Sequence, residues 1–431
     1  MNASAQLSDE AVIPLLTLDP AAALDDLEWL DRAVGDARVV AIGESAHYNA
    51  EFLRFRHRLV RYLVERHGFS AHAMETGFVE SALVDDWVLG GDGELDEVMA
   101  TGLTSLMGLW TPIREHLEWM SEHNSHSENP VGFHGIDMPG SLSSLLSGLD
   151  AVIAYTGEGA HLREIAATFS AESAFTAPAA LAAYAALDTA TRDALTAGLA
   201  DLTAHLSANS LDLVRSTSIT AYDRARRELA TTVALDGMVR ALTRGDFRSM
   251  MFAREAAIAD TVEWILDREE RIVLTAHNAH VQRWPGSLPG SGPLTSVGLH
   301  LADRLGGDYL VVGTTSGTGR TLNTSPDFYA GALFADLEPP RPGSLDALMA
   351  ATHDGLFATD LRTLSPADAA VVDAVPDQRL GVQYSPVDVR KAYDVLVHFP
   401  HVSAAEPDRA ALAHAPTEVQ EAFGKWEPEA V

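Results

Sequence analysis

The chain of 431 residues contains no cysteine. That excludes a disulfide framework, a thiolate nucleophile and a sulfur-ligated metal. Basic residues are scarce: 30 Lys and Arg stand against 61 Asp and Glu, a formal net charge of −31. A surface that tracks phosphates needs clustered Lys and Arg, so neither nucleic acid nor a membrane is an expected partner. No apolar run approaches the roughly 18–20 residues of a membrane span. The opening MNASAQLSDEAV also lacks the positive patch and apolar core of a signal peptide. The expected location is the cytoplasm, and the expected partner is a small-molecule substrate. Several catalytic signatures are missing too. There is no GxSxG elbow, no GxxxxGK[ST] loop, no GxGxxG behind a strand and no HExxH. The glycine-rich GTTSGTG (313–319) has no basic residue at P-loop spacing and reads as a plain turn.

What is present points to an α/β protein. Runs at 37–42, 69–74, 130–136, 271–276, 308–314 and 394–399 are continuously apolar rather than alternating. That pattern belongs to strands of a parallel sheet buried on both faces. Helical patterns separate them, so the expected fold is a central, mostly parallel sheet flanked by helices. Residues 1–150 and 244–320 read as two parts of one catalytic core. The Ala-rich stretch 151–243 reads as a helical cap or side lobe. Residues 321–390, with breaks such as EPPRPGS, read as an insertion of loops and short helices, and 391–431 as the last core strand and a tail.

In open α/β sheets ligands sit outside the carboxyl ends of the strands. Here those ends carry Glu44 and His47 in AIGESAHYNA, then Glu75, then Asp137, then His277 and His280 in HNAH. Any one of these has an ordinary structural role, such as a helix cap or a satisfied core histidine. Together they are more than composition would scatter there. In the helix after GESAH, Phe52, Phe55, Leu59 and Leu63 recur at spacings of three and four, and Arg56 falls at the edge of that buried arc. Arg54, His57, Arg58 and Arg61 point elsewhere on this reading. An arginine beside an apolar stripe needs an acid or an anionic ligand. HNAH with Glu44, His47 and Glu75 suits a zinc-type cluster of nitrogen and oxygen ligands. The same residues suit a metal-free acid/base site equally well. HNSH (123–126) has the same spacing but reads as a solvated polar loop.

The ordered set GESAH, EFLRFRHRLVRYLVERHGF, AMETGFVES, GIDM, LTAHNAHVQR and AYDVLVHF resembles the erythromycin esterase family, closest to its metal-independent, macrolide-opening branch. The resemblance implies a cofactor-free hydrolase that opens a macrolactone or another bulky or cyclic ester by adding water, without an acyl-enzyme. It implies that His47 is the general base, that Glu44 and Glu75 orient and charge-balance the histidines, and that Arg56 supports the acids. His277 and His280 would polarise the carbonyl or hold the water. Asp137, Tyr48 and His134 are the expected substrate contacts, and no metal is expected. Where the family often has an Arg-Asp pair leading a helix, this chain reads FRSMMFAREAA, with Ser249 in place of the acid. Two other readings of the same residues stay open: a natural-product tailoring enzyme, by cyclisation, elimination or acyl transfer, and a metal-binding hydrolase.

Overall fold

The computed structural model describes residues 5–171, 173–288 and 292–426. In chain order its strands are β1 (Ile13–Pro14), β2 (Val39–Glu44), β3 (Ala71–Gly77), β4 (Gly132–Asp137), β5 (Ile272–His277), β6 (Gly286–Leu288), β7 (Gly292–Leu294), β8 (Tyr309–Leu322), β9 (Phe334–Asp336), β10 (Phe357–Asp360), β11 (Asp377–Leu380), β12 (Gln383–Pro386) and β13 (Val395–Val402). The main sheet has the order β1-β10-β13-β8-β2-β5-β3-β4, with β9 added on β8. From β13 to β4 every pairing is parallel. β10 and β1 extend the far edge antiparallel. The fold is thus the expected α/β architecture.

Parallel strands are buried on both sides, and successive residues of β2 show it. Val40 and Ile42 join one core with Phe52, Phe55, Leu59, Ile113 and Leu117, from helices Ala50–His67 and Thr111–His126. Val39 and Ala41 join the other with Leu229, Ile258 and Val262, from helices Ile219–Thr243 and Phe247–Leu266. The six apolar runs are the six parallel strands, each reaching further toward its carboxyl end than read. Glu44, Asp137 and His277 are the last residues of their strands, and Glu75 lies two residues before the end of β3. Residues 151–243 are helical almost throughout. No helix among the described residues is long and apolar enough to cross a membrane.

Some expectations need correction. Residues 321–390 contain short helices but also β9 to β12, and β10 pairs with β13 in the main sheet. HNSH is the last turn of helix Thr111–His126 rather than a loop. His57 and Arg58, which point away from the arc of Phe52, Phe55, Leu59 and Leu63, are themselves buried. The N-terminal segment wraps that side of helix Ala50–His67, and Arg58 is ion-paired with Asp26 at 2.7 Å. GTTSGTG is not a turn but the middle of β8. Its glycines let neighbouring groups approach where a side chain would collide. A Cβ on Gly313 would stand 2.5 Å from the Tyr393 ring, and one on Gly317 would stand 2.4 Å from the Pro400 carbonyl oxygen. Gly313→Ala is therefore expected to destabilise the protein by about 1–3 kcal/mol, the usual cost of overpacking. Urea denaturation measures this, and a variant as stable as the parent would refute the packing role.

Candidate active site

The sheet order brings the strand-end residues together. β5 lies between β2 and β3, so Glu44 pairs in register with His277, and Thr275 with Met74 of β3. GESAH and HNAH also interlock through a glycine. A Cβ on Gly43 would stand 2.1 Å from Asn278 Oδ1. Without one, the Asn278 amide reaches across to β8, where its Nδ2 donates to the Thr314 carbonyl at 2.7 Å and its Oδ1 accepts from the Thr314 N–H at 3.2 Å.

Four carboxylates converge here, and each meets a cation or an imidazole. Glu44, Glu75, Asp137 and Glu255 are all buried. Glu44 Oε1 lies 2.6 Å from His47 Nδ1, and its Oε2 lies 3.9 Å from Arg56 Nη1. Arg254, from helix Phe247–Leu266, donates through Nη2 to Glu75 Oε1 at 3.0 Å and through Nε to both Asp137 oxygens at 3.2 Å. The Asp137 and Glu75 charges overcome the cost of burial and raise the Arg254 pKa further. Burial alone would raise Glu75, but His280, His47 and Arg254 hold it well below the usual carboxylate range.

The three histidines occupy different electrostatic states. His277 Nδ1 accepts the Ala279 N–H at 3.2 Å, so its proton is on Nε2, which donates to the Ser45 carbonyl at 3.1 Å. Burial and the neighbouring His47 push its pKa down to about 3, so it stays neutral. His280 lies between two acids, with Nδ1 2.7 Å from Glu255 Oε1 and Nε2 3.2 Å from Glu75 Oε1. Burial opposes its charge, but Glu255 and Glu75 outweigh burial and Arg254, raising it to about 10. His47 is also raised: burial lowers it, and the hydrogen bond to Glu44 with the field of Glu75 more than compensates. Its side chain is 23% exposed, with Nδ1 on Glu44 and Nε2 unengaged among the described residues.

Beside it, a cavity of about 350 Å³ opens on His277, His280, Arg254 and Glu255. Hairpins β6–β7 and β11–β12 wall it through Leu294, Leu380 and Tyr384. The His47 ring stands 5.2 Å from that of His277. The second hairpin is fixed to the site, because the Gly381 N–H donates to the Ser45 carbonyl at 2.6 Å.

Residues 64–402 match the family model described as erythromycin esterase. The chain belongs to the erythromycin esterase family. It is 27% identical to an erythromycin esterase type II of Escherichia coli over 91% of this chain and 96% of that protein. An erythromycin esterase type I of Escherichia coli is 28% identical over 65% of this chain and 71% of the relative. A solved structure of a mutant erythromycin esterase, EreC, in its open conformation superposes with a TM-score of 0.74 at 22% identity, covering 90% of this chain and 97% of that one. Like its relatives, this erythromycin esterase family member is a hydrolase of ester bonds.

Within this esterase, Glu44, His47, Arg56, Glu75, Asp137, His277 and His280 come together as read, although Asp137 is held by Arg254 rather than presented to the cavity. Two expected substrate contacts do not. The Tyr48 ring is buried against Trp110, 5.3 Å between centroids, and its hydroxyl donates to the Ser105 carbonyl. His134 lies back along β4 against Asp85, away from the carboxyl end of the strand. Arg254 and Glu255 were missed. The Arg–acid pair sought at Ser249 stands six residues later, and its signal was present: Glu255, Ile258, Ala259 and Val262 lie on one buried stripe. An acid on an apolar stripe needs a partner.

His280 ties pH to stability. Its folded pKa of about 10 exceeds the ordinary 6.5, so its contribution is complete below pH 6.5 and is lost as pH rises through about 10. His280→Ala leaves Glu75 and Glu255 without their shared cation and is expected to cost about 3–5 kcal/mol at pH 7. Denaturation at pH 7 and pH 10.5 checks both statements. The gap between parent and variant should shrink at the higher pH, and a constant gap would contradict a charged His280.

Proposed function

We propose that this site hydrolyses a bulky or cyclic carboxylic ester, with a macrolactone as the leading candidate, by His47-activated water and without a covalent intermediate. The observation that carries this reading is the difference among the three imidazoles. Both nitrogens of His277 are taken by backbone groups, and those of His280 are taken by Glu255, Glu75 and Arg254. Only His47 keeps a nitrogen for chemistry while Glu44 fixes its tautomer at the other. His47 Nε2 takes a proton from water as the oxygen adds to the ester carbonyl. The positive charge of His280 and Arg254 at the cavity floor stabilises the oxyanion. Collapse of the tetrahedral intermediate breaks the bond to the alkoxy oxygen, and His47 returns the proton to the leaving alcohol. The macrolactone candidate rests on the names carried by the relatives and on the cavity of about 350 Å³ that opens on His277, His280 and Arg254.

The reaction needs no metal on this reading, because the acids are already balanced by groups of the protein. Glu75 and Asp137 share Arg254, Glu44 has Arg56 and His47, and Glu255 has His280. A divalent ion there would be repelled by two guanidinium groups. Exhaustive treatment with a strong chelator, with metal content and activity measured together, is expected to leave turnover unchanged. Stoichiometric zinc whose removal abolishes activity and whose return restores it would overturn the proposal.

The base must be unprotonated to act, so kcat/KM should rise with pH through a single ionisation above 6.5. His47→Asn is expected to lower kcat by about 10²–10⁴-fold, the range for a lost general base. Glu44→Gln removes the carboxylate that raises His47 and should move the rising limb to lower pH as well as lower the maximum. A macrolide panel read by mass spectrometry supplies the substrate for these profiles. An unshifted limb in Glu44→Gln would remove Glu44 from this role.

A further inference from the structure

A second cavity, of about 640 Å³, lies beyond the ends of β3 and β4, and the mechanism does not use it. Its walls include Thr101, Thr104, Ser105, Ser141, Ser144 and Ser147, and among the described residues no Lys or Arg lines it. It adjoins the catalytic turn. The Tyr48 hydroxyl, one residue after His47, donates to the Ser105 carbonyl, and the Ser105 N–H donates to Ser141 Oγ at 3.0 Å. Tyr48, Ser105, Leu106, Ser141 and Leu142 are the non-glycine residues at positive φ among the described residues, and all lie on this one connection. Such strain persists only where the surroundings enforce it, and it concentrates at ligand-binding loops. The two Ser-Leu turns therefore hold hydroxyl groups at one wall in a conformation that neither sequence favours alone. At the floor, Glu80 accepts from the Gly140 N–H at 2.8 Å and from Ser147 Oγ at 2.5 Å through Oε1, while its buried Oε2 has no partner among the described residues.

We propose that this cavity, joined to the turn that carries His47 through Tyr48 and Ser105, is a second substrate subsite that takes a hydroxyl-rich, uncharged part of the ester such as a glycosyl or polyol group. Many short hydroxyls with carboxylate acceptors suit a ligand that donates and accepts at every carbon, and two acids, Glu80 and Asp150, against the single imidazole of His414 disfavour an anionic one. The inference rests on the proposed ester hydrolysis only for its role, because occupancy can be read without turnover.

Saturation-transfer NMR of the full chain with methyl α-D-glucopyranoside tests it, with the anionic methyl α-D-glucopyranosiduronate as comparison. The glucoside should bind saturably and the glucuronide at least tenfold more weakly. Thr101 is exposed on the rim, and Thr101→Trp should lower glucoside affinity at least tenfold by filling the space. Ser147→Ala should weaken it several-fold. Ser287→Trp, which fills the other cavity from an exposed position, should leave it unchanged, as should His47→Asn. Melting temperatures check that each variant is folded, and Ser147→Ala decides if Thr101→Trp is not. No saturable signal in the parent, or binding that survives both subsite variants, would overturn the subsite. If instead His47→Asn kept full turnover while glucoside binding behaved as expected, the hydrolytic reading would fail and the subsite would stand.

Discussion

The site depends on a problem of charge. Glu44, Glu75, Asp137 and Glu255 are buried within one cluster, served by two guanidinium groups, Arg56 and Arg254. Two like charges about 4 Å apart repel by roughly 4 kcal/mol at an effective dielectric of about 20. Four acids against two arginines leave two negative charges uncompensated. Protons on His280 and His47 bring the cluster to balance, which is why both imidazoles are raised. His277, with its nitrogens bound to backbone groups, takes no part and is driven the other way. One field thus gives three histidines three roles: a fixed cation, a neutral brace and a base with a raised pKa.

The sheet makes this balance possible. A parallel sheet aims its carboxyl ends at one crevice, and inserting β5 between β2 and β3 sets HNAH against GESAH. Much of what the two motifs contain serves that fit rather than the reaction. Gly43 admits the Asn278 amide, and the Ser45 carbonyl receives both His277 and the hairpin turn at Gly381. Because one carbonyl anchors both a site histidine and the cavity wall, substitutions in that hairpin are coupled to the site.

The strand ends were legible in the sequence because a continuous apolar run announces a buried parallel strand, and a charge just after it must lie at the crevice. Tyr48 and His134 are near site residues in sequence without joining them in the site. A positive φ at Tyr48 turns its ring away toward Trp110, and His134 sits too early in β4 to reach the crevice. Arg254 and Glu255 lie well over a hundred residues from Glu75 and Asp137, and no local pattern links them. Their clue was an acid on the buried face of a helix, which names a need for a partner without naming it. The glycines of β8 were misread for a similar reason: a close contact with Tyr393 or Pro400 is a tertiary fact. The second cavity was invisible because it is made by two strained turns from separate loops.

The central claim, that one balanced cluster sets three different protonation states, is tested most directly by imidazole nitrogen NMR across a pH titration. The account predicts that His277 stays a neutral Nε2–H tautomer throughout, that His280 keeps both protons until about pH 10, and that His47 titrates apart from both, above 6.5. Three histidines titrating together near the ordinary value, or a His280 already neutral at pH 7, would contradict it.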